Sequence, residues 1–114
     1  MDMQEKDQKF HHLPLAARLD RLASETGLST ADLEALDGLH GLTPTQADHM
    51  IENAVGVYGL PLGIARNFHV NGRDVLVPMA IEEPSVVAAA SYMAKLARAG
   101  GGFRAETTPP EMIG

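Results

Sequence analysis

Two adjacent acids, Glu82 and Glu83, stand in the stretch AIEEPSVVAAAS, between an apolar run and a nearly uncharged segment rich in alanine. A carboxyl group beside the opening of a helix is pulled toward its ionised form by the helix dipole. Burial among Ile81, Val86 and Val87 and repulsion from the neighbouring acid pull the other way. A group held between those influences can act as a general acid or base. The plainer reading is that both acids are favoured residues of a helical first turn. A second polar pair, Glu52-Asn53, is expected late in a helix, where an acid is disfavoured and a specific partner would explain it. Arg66 and Arg73 could meet an anion, although arginines on a hairpin usually face solvent. The five histidines, His11, His12, His40, His49 and His69, include no His-x-x-x-His pair. No acid completes a ligand triad, and adjacent His11 and His12 are expected to point apart, so no metal site is expected.

These groups need elements to position them. Residues 1–12 read as a flexible, solvated arm. Leu15, Leu19 and Leu22 have helical spacing, with Gly27 as a stop. Ser29 with Asp32 resembles a capping pair, and Gly38 ends the short helix that follows. Thr43, Pro44 and Gln46 form an N-cap, a first-position proline and a capping box for a third helix, whose apolar side is Met50, Ile51 and Val55. From Gly56 onward the chain is too densely punctuated for a helix. Asn71-Gly72 signals a type I′ turn, which predicts a β-hairpin over about residues 62–70 and 73–79 with Phe68 opposite Val75. Pro84 suits the first turn of a last helix, closed by the glycines at 100–102. Its many alanines allow close backbone approach, as in a central helix. Those glycines follow a helix rather than open one, so they do not read as a phosphate cradle. The class is α+β, and the few elements look like part of a larger fold.

The stretch MIENAVGVYGLPLGIARNFHVNGRDVLVPMAIEEPSVVAAASYMAKLARAGGGF, residues 50–103, resembles the N-terminal part of 3-hydroxy-3-methylglutaryl-CoA (HMG-CoA) reductases of the soluble bacterial class II. The preceding LSTADLEAL and GLTPTQADHMIENAVG resemble the helical approach of that family, so the similarity runs from about residue 10 to the end. It implies residues 13–56 as an N-terminal helical segment and 57–108 as the hairpin and central helix of the large, substrate-binding domain. Residues 109–114 would begin the crossing into a cofactor domain. In EEPS it gives Glu83 the catalytic position and Ser85 a contact to the hydroxymethylglutaryl group. In ENAVG it puts Glu52, Asn53 and Gly56 at a subunit interface near the active site. His11 stands where some relatives carry an arginine near the coenzyme A phosphates, and a neutral imidazole is a weaker phosphate partner than a guanidinium.

The implied activity is interconversion of HMG-CoA with mevalonate and coenzyme A, using two NADH or NADPH. The implied assembly is a homo-oligomer built from dimers. The same resemblance places the catalytic lysine, aspartate and histidine and the NAD or NADP site outside these residues, so the chain alone is expected to be an inactive N-terminal segment. The alternative is a short non-catalytic interaction module that binds acyl-CoA or pairs with a reductase subunit.

The totals bound both readings. A chain of 114 residues is one domain at most and can bury roughly two thirds of its unfolded surface. With aromatics at 4% and no tryptophan, its core must be aliphatic. A net charge of −6 argues against nucleic acid or an anionic membrane as the main partner. The absence of cysteine excludes disulfides and thiol chemistry. The polar N-terminus lacks an apolar signal core, and the run at 85–97 is too short to span a bilayer, so a cytoplasmic protein is expected.

Overall fold

The computed structural model describes residues 10–38 and 40–111. Most of the expected arm (residues 1–9) and the end of the expected crossing (112–114) lie outside the described residues. The chain divides into two compact units between Gly59 and Leu60.

In the first unit, helix α1 (Leu15–Thr26) ends as its sequence requires. Gly27 takes φ 75° and donates its N–H to the Ala23 carbonyl, the left-handed closure that glycine adopts without steric cost. Leu22 is the buried residue of this helix. Helix α2 (Thr30–Leu36) carries a complete capping box. Asp32 N–H donates to Ser29 Oγ over 3.2 Å, and Ser29 N–H donates to Asp32 Oδ2 over 2.9 Å. Helix α3 (Pro44–Met50) repeats the device with Thr43 and Gln46, at 3.2 and 2.9 Å. Each box satisfies two N–H groups that a helix start leaves without partners.

Helix α3 is shorter than its sequence suggests. Ile51 is already extended, at φ −136°, and Asn53 is left-handed, at φ 58°. Glu52 and Asn53 therefore lie in a turn beyond the helix, and Ile51 and Val55 are not on its face. Residues 54–61 carry no regular structure.

The second unit is a two-stranded antiparallel hairpin with one helix on it. Strands β1 (Leu62–Val70) and β2 (Arg73–Ala80) join through Asn71 at φ 51° and Gly72 at φ 78°, the two positive angles a type I′ turn needs. The expected pairing of Phe68 with Val75 is present. The ladder shifts between Ala65 and Phe68, so that Arg66 and Asn67 face the single residue Leu76. This β-bulge places Asn67 at φ 71° and bends the strand.

Helix α4 (Val86–Ala99) lies on β1. Ala65 and Ala94 are buried, and a Cβ on Gly63 would stand 3.1 Å from Val87 Cγ2. The small side chains bring helix and strand together. Ser91 locks the contact at the bulge. Its Oγ accepts the Arg66 N–H at 2.9 Å, and its carbonyl accepts from Asn67 Nδ2 at 3.1 Å. Val87, Ser91, Ala94 and Arg98 thus form one stripe at helical spacing. Tyr92, Met93 and Leu96 are exposed.

Helix α4 begins later than expected. Pro84 stands before it, and Ser85 is left-handed at φ 76°, which interrupts any helix continuing back to the acids. The other end closes at Gly100, as the sequence predicts. The chain then returns to β1. Phe103 N–H donates to the His69 carbonyl at 2.7 Å, Asn71 N–H donates to the Phe103 carbonyl at 2.9 Å, and Phe103 stacks on Phe68 at 5.5 Å. Gly102 makes that return sterically possible. At φ 82°, a Cβ there would sit 2.3 Å from the His69 carbonyl oxygen. Asp74 ties three elements together, accepting from Arg98 Nη1 at 2.7 Å and from His69 Nδ1 at 2.9 Å. The Arg98 bond, followed by the His69 bond, lowers the Asp74 pKa to about 2.

Two outcomes follow for stability. Gly102→Ala should destabilise the chain by about 1–3 kcal/mol, from the left-handed backbone and the contact with His69, read as a lowered urea midpoint. Because Asp74 titrates lower in the folded state than its ordinary 3.8, its contribution is complete above about pH 4 and fades as pH falls toward 2. The midpoint difference between the parent and Asp74→Asn should shrink over that interval. It should also shrink in high salt, because the carboxylate is exposed and screened.

Candidate functional site

The cleft of interest forms where β2 ends and α4 begins. Its floor is set by the Ile81 N–H, which donates to the Pro61 carbonyl at 3.1 Å and brings the entry to β1 beside the exit from β2. Pro61, Leu62 and Gly63 make one wall, and Ile81, Glu82, Glu83, Pro84, Ser85 and Val87 make the other, around a volume of about 330 Å³. That is the lower end of the range for small-ligand sites.

Of the residues singled out in the sequence, Glu82, Glu83 and Ser85 come together here. Glu83 is exposed rather than buried among Ile81, Val86 and Val87. The physical reason is that one hairpin and one helix cover only one side of the 81–87 segment. Ser85 accepts the Ala89 N–H on its carbonyl at 2.8 Å, while its hydroxyl makes no capping bond to the helix. A serine in the left-handed region carries a cost of about 1–2 kcal/mol. Such strain persists where surrounding structure enforces it, often at a functional site. Here the seating of the following helix α4 on β1, with the Ser85 carbonyl bonded to the Ala89 N–H, holds Ser85 at the helix start.

The lining contains two carboxylates, a hydroxyl and apolar surface, with no cationic side chain. It can offer a proton and a hydrogen bond to a ligand oxygen. A negative charge developing on that oxygen would meet no stabilising cation among these residues.

The other candidates belong to the first unit. Glu52, Asn53 and Gly56 are exposed, in and after the turn that ends α3. His11 is also exposed, and its ring does not point away from that of His12. The centroids are 4.0 Å apart with the planes tilted by 42°, because both residues lie in one tight turn. Among the described residues no group of three or more His, Asp or Glu could hold a metal ion. Nor do these residues fit a dinucleotide. The glycines at 100–102 close α4, so its N–H groups point away from them. No described helix is long and apolar enough to cross a membrane.

Sequence reasoning missed the wall at 61–63, whose Gly and Pro read only as punctuation. It also missed the Asp74–His69–Arg98 cluster. His69 and Asp74 become visible as neighbours once the I′ register is drawn, but Arg98 arrives through helix packing.

Comparison with known proteins places this geometry. The sequence model of the family described as hydroxymethylglutaryl-coenzyme A reductase matches residues 14–114. The 3-hydroxy-3-methylglutaryl-coenzyme A reductase of Archaeoglobus fulgidus is 50% identical over 105 residues, covering 92% of this chain and 24% of that protein. A solved 3-hydroxy-3-methylglutaryl-coenzyme A reductase from Streptococcus pneumoniae superposes with a TM-score of 0.76 at 38% identity, over 84% of this chain and 23% of that one. A structure of the class II enzyme from the same organism, bound to NADPH in open conformations, gives a TM-score of 0.77 at 38% identity, over 86% and 27%. The chain therefore spans about a quarter of the length of these relatives. Matched from residue 14 onward in sequence and over most of its length in structure, the chain belongs to the hydroxymethylglutaryl-coenzyme A reductase family.

Proposed function

We propose that residues 81–87 form the substrate-side wall of a reductase active site that interconverts HMG-CoA with mevalonate and coenzyme A. The observation that carries this reading is the enforced turn at Ser85, which presents Glu83 and Ser85 to one cleft inside the segment matched by the family model. Glu83 is the proton-handling group, donating to a substrate carbonyl oxygen as it becomes a hydroxyl and accepting in the reverse direction. Ser85 binds the hydroxymethylglutaryl group through its uncapped hydroxyl. NADH or NADPH supplies hydride when bound, and its site and the cation that stabilises the oxyanion come from polypeptide outside these 114 residues. Glu52, Asn53 and Gly56 contribute to a subunit interface of a homo-oligomer, and His11 lies toward the coenzyme A phosphates. The proposed setting is the cytoplasm, with neither nucleic acid nor membrane as a partner. Family membership favours this over a free-standing interaction module.

The test replaces the matching segment of the Archaeoglobus fulgidus relative with residues 14–111 of this chain. The chimera should oxidise NADH or NADPH in the presence of HMG-CoA, and the 114-residue chain alone should not. Glu83→Gln should lower kcat by about 10²–10⁴-fold with little change in KM, the usual size of a lost proton-transfer contribution. A Glu83→Gln chimera working at the parent rate would remove Glu83 from the chemistry.

A further inference from the structure

The Asn71-Gly72 pair does more than turn the hairpin. Phe103 meets the end of β1 in a single parallel bridge, opposite Val70. Phe103 bonds to the His69 carbonyl and the Asn71 N–H. The next rung of a parallel ladder would put the Ala105 N–H on the Asn71 carbonyl and the Arg73 N–H on the Ala105 carbonyl, but the I′ turn has already carried that backbone away. The Asn71 side chain takes their place. Its Oδ1 accepts the Ala105 N–H at 2.9 Å, and its Nδ2 donates to the Ala105 carbonyl at 3.0 Å. The carboxamide mimics a peptide unit, and only a group with one donor and one acceptor can fill both places.

That carboxamide is followed by glycine. We propose that Asn71 is a site of spontaneous deamidation, and that the modification unlatches the 103–105 segment from the hairpin. In this step the Gly72 backbone nitrogen gives its proton to solvent base and attacks Asn71 Cγ. The N–Cγ bond forms, the Cγ–Nδ2 bond breaks as Nδ2 takes a proton from solvent, and ammonia departs, leaving a cyclic imide. Water then opens the ring at either carbonyl, giving aspartate or isoaspartate, with no net oxidation or reduction. Both residues are exposed, and Gly72 has no side chain to hinder the attack.

The fold governs both rate and consequence. While both bonds to Ala105 are made, Cγ is held away from rotation onto the Gly72 nitrogen, so the reaction runs through moments when the latch is open. The product cannot relatch in the same way. Aspartate keeps an acceptor for the Ala105 N–H but opposes the Ala105 carbonyl with a negative oxygen. Isoaspartate also adds a backbone carbon to a turn whose geometry is set by two positive φ angles.

The full chain provides its own controls. Asn53 precedes alanine and Asn67 precedes phenylalanine, both likewise at positive φ. Incubation at mildly alkaline pH followed by peptide mass spectrometry should show conversion at residue 71 well ahead of 53 and 67. The Arg104-Ala105 bond lies inside the latched segment, so brief trypsin treatment reads the opening. Loss of one hydrogen bond of ordinary net strength raises the open population roughly tenfold. The aged species, and separately Asn71→Asp, should be cut after Arg104 about tenfold faster than the parent under limiting trypsin, with cleavage after Arg21 unchanged. Equal conversion at all three asparagines would overturn the modification site. Equal cleavage of parent, aged chain and Asn71→Asp would overturn the latch.

Discussion

The seating of helix α4 on strand β1 is the contact on which the candidate site depends. It is made of very little: two buried alanines, a glycine under Val87, and one serine bonded twice at a β-bulge. Small residues permit close approach but do not by themselves choose a register, since alanine faces can slide past one another. Ser91 supplies the register, because the N–H it accepts is made available where the bulge breaks the ladder. Fixing the helix there fixes its first turn six residues earlier, and with it the left-handed Ser85 and the acids beside the cleft.

The far end of the same helix is held by different physics. Arg98 reaches Asp74 on β2, His69 of β1 bonds to the same oxygen, and the chain after Gly102 returns to lie along β1. The polar cluster is exposed, so each bond alone adds modestly to stability. Their value lies in position, since three elements that share almost no buried apolar surface are tied at one point. Among the described residues only Leu22, Ala47, Ala65 and Ala94 are buried hydrophobics. So sparse a core explains why Tyr92, Met93 and Leu96 remain exposed on a helix whose composition suits a covered position. In the Archaeoglobus fulgidus and Streptococcus pneumoniae relatives, each about four times this length, such a face has more polypeptide available to cover it.

Local chemistry was the legible part of the sequence. The Ser29/Asp32 and Thr43/Gln46 boxes, the Gly27 stop and the Asn71-Gly72 turn each act within a few residues, and each appears as read. The turn fixed the pairing of Phe68 with Val75 because a two-residue loop leaves no other register. The failures came where backbone left the expected basin for reasons outside the local pattern. Asn53 turns left-handed and ends α3 early, and Ser85 does the same and delays α4 past Pro84. Asparagine tolerates that region and serine does so at a cost, so neither residue type announces it. The role proposed for Glu83 rests on resemblance, not pattern, since paired acids before a helix are ordinary. Its exposure was unreadable because burial depends on what covers the cleft.

In the proposed enzyme, the α4 seating delivers the Glu83 carboxyl to the reacting carbonyl of a thioester substrate. A crystal structure of the chimeric reductase with HMG-CoA bound tests it directly. The expected result is a Glu83 carboxyl oxygen within about 2.6–3.2 Å of the thioester oxygen, or bridged to it by one water, with Ser91 still bonded at the bulge. A Glu83 side chain directed into bulk solvent, with another acid at the thioester, would contradict it.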